Sequence, residues 1–131
     1  MQRDQLRSLL YVDDEPDIRE IVRLSLTLAP GLEVRSCESG AQALELLPQL
    51  QPDLVILDVM MPGLDGPSTF GRMRASPQLA RIPTIFMTAK AMPQETERFK
   101  QLGAIGVIAK PFDPMQLREQ VFALWESAAD A

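Results

Sequence analysis

Carboxylates, a hydroxyl and an ammonium stand at the ends of short apolar runs in this chain. Asp13 and Asp14 follow Leu9–Val12, Asp58 follows Leu54–Leu57, Thr88 follows Thr84–Met87, and Lys110 follows Gly106–Ala109. Three carboxylates crowded together repel one another, and a divalent cation with oxygen ligands is the natural way to keep them ionised. The chain has no histidine and a single cysteine, Cys37, so a hard ion such as Mg²⁺ is preferred over zinc. A lysine and a hydroxyl facing that ion make a place for a phosphoryl group. The ion and Lys110 neutralise its charge, and Thr88 donates to one of its oxygens. Each residue alone has an ordinary reading. Asp13 or Asp14 could cap a helix, Thr88 could end a strand, and Lys110 could be solvated like most lysines. Only the conjunction points to chemistry.

For these groups to meet, the runs that carry them must be neighbouring strands. The pattern predicts strands near Leu9–Val12, Leu32–Ser36, Leu54–Leu57, Thr84–Met87 and Gly106–Ala109. Helices are predicted near Pro16–Leu28, Ala41–Leu47, Pro67–Ala75, Pro93–Leu102 and Pro114–Ser127. In the first helix Ile18, Ile21, Val22, Ser25 and Leu26 recur at helical spacing; in the last, Leu117, Val121 and Leu124 form the inward stripe. Met115, Phe122 and Trp125 lie off that stripe, either widening the buried face or forming a partly exposed apolar surface. The eleven prolines fall at element edges, and Gly103 stands where a helix end wants a left-handed residue. Five βα units in strict alternation predict an α/β fold, a doubly wound five-stranded parallel sheet with helices on both faces. Ligands bind such sheets at the carboxyl edge, where the strand order reverses. If the first strand lies between the second and third, Asp13, Asp14 and Asp58 converge there, flanked by Thr88 and Lys110.

Composition narrows the function. A chain of 131 residues with 46% hydrophobic residues is one domain with a real core. Its apolar runs are far short of a membrane span, and its first residues, "MQRDQLRS", contain no apolar signal core. With the lone cysteine, these features predict a cytoplasmic protein. The net charge is −5 and no Lys/Arg cluster appears, which argues against direct nucleic-acid binding. The missing histidine removes the commonest general base and zinc ligand. A starting methionine and the lack of a linker favour a single-domain protein over 1–131, its core spanning about 9–125.

Four segments, "VDDEPDIREIV", "LVILDVMMPGLDG", "PTIFMTAKA" and "GAIGVIAKPF", give the chain a strong resemblance to the receiver domains of two-component response regulators. The resemblance runs from Leu9 to about Trp125 and implies a flavodoxin-like strand order 2-1-3-4-5. It implies that Asp58 accepts a phosphoryl group from a phosphohistidine on a sensor histidine kinase or histidine phosphotransfer protein. It further implies that Asp14, Asp58 and the backbone carbonyl of Met60 ligate Mg²⁺, with Asp13 acting mainly through water. Lys110 would pair with the phosphoryl group, Thr88 would move to meet it, and Lys110–Pro111 would be a cis peptide. Ile18 matches a position where receivers meet phosphotransfer helices. Such a domain is no enzyme beyond its own phosphoryl acceptance and dephosphorylation. Its output is expected in a downstream partner, or in self-association through the fourth helix, fifth strand and last helix. The position three residues before the lysine, commonly aromatic in the family, is Val107 here. Two residues beyond Asp58 and Thr88 stand Met60 and Lys90, neither suited to positioning an attacking water.

Other readings fit less well. A haloacid-dehalogenase-like phosphohydrolase needs an acid–base aspartate two residues after its nucleophile, and that residue is Met60. A nucleotide-binding module needs a Gly-rich loop after the first strand, which is lacking. A degenerate receiver serving only as a binding surface has no use for an intact set of Asp13, Asp14, Asp58, Thr88 and Lys110.

Overall fold

The computed structural model describes residues 5–28 and 30–129; the remaining residues of the expected 1–131 domain lie outside that description. Five strands and five helices alternate: β1 (Ser8–Val12), α1 (Pro16–Leu26), β2 (Glu33–Cys37), α2 (Gly40–Leu50), β3 (Leu54–Asp58), α3 (Gly66–Ala75), β4 (Thr84–Thr88), α4 (Pro93–Leu102), β5 (Gly106–Ala109) and α5 (Leu117–Ala129). The strands are all parallel, in the order β2-β1-β3-β4-β5. This is the doubly wound sheet that the alternation predicts.

The period-two alternation of a strand divides the core in two. Leu9, Tyr11, Leu54, Ile56, Ile85, Met87 and Ile108 face one side, where Val22 and Leu26 of α1 and Leu117, Val121 and Trp125 of α5 cover them. Leu10, Val12, Val55, Leu57 and Phe86 face the other, under Ala43 and Leu47 of α2, Phe70 and Met73 of α3, and Phe99 of α4. Both faces of β1, β3 and β4 are therefore buried, which explains their unbroken apolar runs. Each fully buried Leu or Ile contributes about 2 kcal/mol.

Local chemistry sets the helix ends. Ser39 accepts the Gln42 N–H to start α2, and Asp65 accepts the Ser68 N–H to start α3. Gly103 ends α4 at φ 114°, a conformation open to glycine. Helix α2 runs past its predicted end through Pro48 to Leu50. Proline in the last turn forfeits one hydrogen bond, and the buried Leu47 with the partly buried Leu50 holds the turn in place.

Two apolar assignments change. Trp125 is 6% exposed and belongs to the core, so the inward stripe of α5 is Leu117–Val121–Trp125, with Leu124 only partly buried. Spacings of four and four suit a helix face as well as four and three. Ile21 points outward at 39% exposure, leaving Val22, Ser25 and Leu26 as the buried face of α1. Residues 114–116 form a turn ahead of α5 rather than its first residues; Asp113 accepts the Met115 N–H there.

Candidate functional site

The sheet register levels the candidate residues. Val12 pairs with Leu57, so Asp13 and Asp58 stand side by side, one at the end of β1 and one at the end of β3. Asp58 pairs with Met87, and Thr88 pairs with Ala109, so Lys110 follows one step beyond Thr88. Alternation then selects a face. Asp13 is two residues from Tyr11, Asp58 two from Ile56 and Lys110 two from Ile108, all on the α1–α5 side.

Carboxylate oxygens of Asp13, Asp14 and Asp58 all lie within 4.8 Å of one another. The Lys110 Nζ sits between two of these carboxylates, 2.9 Å from Asp13 Oδ2 and 3.2 Å from Asp58 Oδ1. Asp13 is fully buried and Asp58 is 4% exposed. Burial, and next the Asp13 charge, raise the Asp58 carboxyl to about 6 despite Lys110. Burial also works to lower the Lys110 ammonium. The Asp13 hydrogen bond and the two carboxylate charges outweigh it and leave Lys110 above its ordinary value. Three carboxylates share one lysine here, and this all-oxygen donor set fits a hard divalent ion such as Mg²⁺.

Asp13 is the most heavily bonded member. Its Oδ1 accepts the Glu15 N–H at 3.0 Å, and its Oδ2 accepts the Tyr11 hydroxyl at 2.6 Å as well as Lys110. The N-cap of α1 is Glu15, which makes no side-chain capping bond, so neither Asp13 nor Asp14 serves as the cap residue. Arg19 reaches back from α1 to donate to the Asp13 carbonyl at 2.8 Å.

Thr88 ends β4, the strand between those that carry Asp58 and lead to Lys110. It lies two residues from Phe86, on the parity that faces α2, α3 and α4, and its hydroxyl accepts the Lys90 N–H at 3.0 Å. Val107 is partly buried on that same side. The Lys110–Pro111 peptide is cis, as the resemblance implies.

The loop after β3 is drawn tightly against the site. Gly66 donates its N–H to the Val59 carbonyl at 3.0 Å, and a β-carbon at Gly66 would collide with the Asp58 carbonyl oxygen and Val59 Cα. Gly63 turns the loop at φ 74°. Met60, whose carbonyl the resemblance names as a ligand, is 78% exposed. Ile18 is partly buried against the α1–α5 core.

Over residues 9–122 the sequence matches the response regulator receiver domain family. The chain is a response-regulator receiver domain. The receiver is 38% identical over 122 residues to the transcriptional regulatory protein GltR of Pseudomonas aeruginosa, covering 93% of this chain and 50% of GltR. It is 35% identical over 116 residues to the DNA-binding dual master transcriptional regulator RpaA of Synechocystis, covering 88% of this chain and 48% of RpaA. Its fold matches the chemotaxis response regulator CheY4 of Vibrio cholerae with a TM-score of 0.82 at 30% identity, over 92% of this chain and 99% of that one. The receiver spans between 25% and 55% of the length of several curated relatives it matches. Among the described residues, no helix is long and apolar enough to cross a membrane.

Two contacts escaped the sequence reading. Tyr11 lies two residues before Asp13 in a strand, so period-two alternation was a signal for its contact with that carboxylate. Arg19 gave no comparable signal, because its bond is to a backbone carbonyl.

Proposed function

We propose that this receiver accepts a phosphoryl group onto Asp58 from the phosphohistidine of a sensor histidine kinase or histidine phosphotransfer protein. A single observation carries the reading: the Lys110 ammonium lies within 3.2 Å of Asp58, inside a cluster of three carboxylates. Asp58 and Asp14 would ligate Mg²⁺ with the Met60 carbonyl, and Asp13 would act through water. Bound there, Mg²⁺ supplies the charge that offsets the incoming phosphoryl oxygens. An ionised Asp58 oxygen forms a bond to phosphorus as the nitrogen–phosphorus bond breaks, and the imidazole leaves with a proton. Lys110 neutralises charge on the transferring oxygens. Hydrolysis of the acyl phosphate would be the domain's only other reaction.

The response would run through Thr88. Its hydroxyl bonds within its own loop, to Lys90, so turning it toward the phosphoryl group frees that loop and biases α4. With Val107 in place of an aromatic ring, the movement draws no ring inward. The output is then a changed surface at α4, β5 and the start of α5, where Met92, Leu102 and Met115 are exposed, offered to a protein partner or a second copy. A cytoplasmic setting follows from the kinase partner.

The test is incubation with acetyl phosphate, with and without Mg²⁺, read by intact mass. One phosphoryl group should appear in the presence of Mg²⁺ only. Absence of labelling with Mg²⁺ would overturn the reading.

A further inference from the structure

The Tyr11 phenol is fully buried in the core, yet its hydroxyl ends on the same Asp13 oxygen that holds Lys110. Its other hydrogen-bonding neighbour among the described residues is the Met87 sulfur at 3.5 Å, a weak acceptor. The phenol proton is therefore committed to Asp13 Oδ2. That oxygen has two donors, and one of them is required elsewhere during the reaction.

We propose that Tyr11 is a positioning residue that holds Asp13 while Lys110 moves to the phosphoryl group. The inference rests on phosphorylation of Asp58. In the unphosphorylated domain Lys110 is shared, at 2.9 Å from Asp13 and 3.2 Å from Asp58. A phosphoryl group on Asp58 competes for the ammonium. If Lys110 were the sole side-chain donor to Asp13 Oδ2, its departure would strand a buried anionic oxygen, which is costly. Tyr11 removes most of that penalty, because its bond at 2.6 Å remains when Lys110 leaves. Tyr11 thus makes Lys110 transferable. A phenol that merely satisfies its own hydroxyl has the same geometry, but its loss would cost the free and phosphorylated domains alike.

This difference can be measured by titrating beryllofluoride, a phosphoryl mimic, with Mg²⁺ into wild type, Tyr11→Phe, Lys110→Met and the double variant. Tyr11→Phe should weaken beryllofluoride binding about tenfold. In the Lys110→Met background the same substitution should have no further effect, since no lysine remains to be released. Equal affinity of Tyr11→Phe and wild type, or the same tenfold loss in both backgrounds, would overturn the proposal. If Tyr11→Phe does not fold, the wild-type protein still decides the matter, because Tyr11 is its only tyrosine. A ¹³Cζ-tyrosine label gives one resonance, which should shift on adding beryllofluoride to the Mg²⁺-loaded protein and stay still in Lys110→Met. A resonance unmoved in wild type would contradict the release of Asp13 by Lys110. Failure of the wild type to bind beryllofluoride at all would instead count against phosphorylation of Asp58, so the two failures are distinct.

Discussion

The Lys110 ammonium stands 3.2 Å from Asp58 Oδ1, joining residues 52 positions apart in sequence, one at the end of β3 and one just past β5, with β4 between those strands. The pair is nearly buried, with side-chain exposures of 16% and 5%. A buried charge pair of this kind is expensive to break from one side, because the remaining charge is left alone.

The carboxylates and the lysine should therefore separate by function. Asp14→Ala removes a proposed ligand and should weaken Mg²⁺ binding by at least about tenfold, with a parallel loss of phosphorylation. Lys110→Met should leave Mg²⁺ bound while slowing phosphorylation from acetyl phosphate. Calorimetric Mg²⁺ titration checks both, and an unchanged titration in Asp14→Ala would remove it from the ligand set.

The raised Asp58 carboxyl makes a pH prediction. Its ordinary value is 3.8 and the folded domain holds it at about 6, so the folded state binds that proton more tightly than the unfolded state. The resulting stability is fully present below about pH 4 and is lost as pH rises through about 6. Urea midpoints of the metal-free protein should show that loss in wild type, and Asp58→Asn should remove it. Mg²⁺ competes with the proton, so stabilisation by Mg²⁺ should grow over the same interval.

Much of this was legible in the sequence. Strands such as Leu54–Asp58 announce themselves because burial on both faces demands unbroken apolar runs, and chain order with short connections predicted the sheet. The convergence of Asp13, Asp14, Asp58 and Lys110 followed from strand ends once the first strand was set between the second and third, an order that the resemblance supplied. What the pattern missed was rotational detail within helices. Trp125 and Leu124 are adjacent, both apolar, and both compatible with a helical stripe; only packing in the folded chain decides between them. The Tyr11 contact was hidden for another reason. A buried tyrosine in a strand looks like core until the partner of its hydroxyl is known.

Gly66 supplies a third prediction. A β-carbon there would strike the backbone at Asp58 and Val59, which cannot yield without moving the end of β3. Gly66→Ala should cost about 1–3 kcal/mol of stability and weaken Mg²⁺ binding as well. Ser68→Ala, on the exposed side of the same helix start, is the control. Chemical denaturation with Mg²⁺ titration measures both effects, and full-strength Mg²⁺ binding in Gly66→Ala would contradict the tight loop.

The switch should act on the side of the sheet that Thr88 faces. Under beryllofluoride and Mg²⁺, amide exchange should change most across Ala89–Leu102, and Thr88→Ala should suppress that change. Val107→Ala should alter it little. A large loss of response in folded Val107→Ala would make Val107 part of the switch.

The central claim is that Asp58 is the residue phosphorylated, and its acyl phosphate can be trapped chemically. Borohydride reduces an aspartyl phosphate to homoserine, so protein treated with acetyl phosphate and Mg²⁺, reduced and digested, should carry homoserine at position 58. Asp58→Asn should carry none. Homoserine at Asp13 or Asp14 in the wild type, or undiminished phosphorylation of Asp58→Asn, would contradict the account.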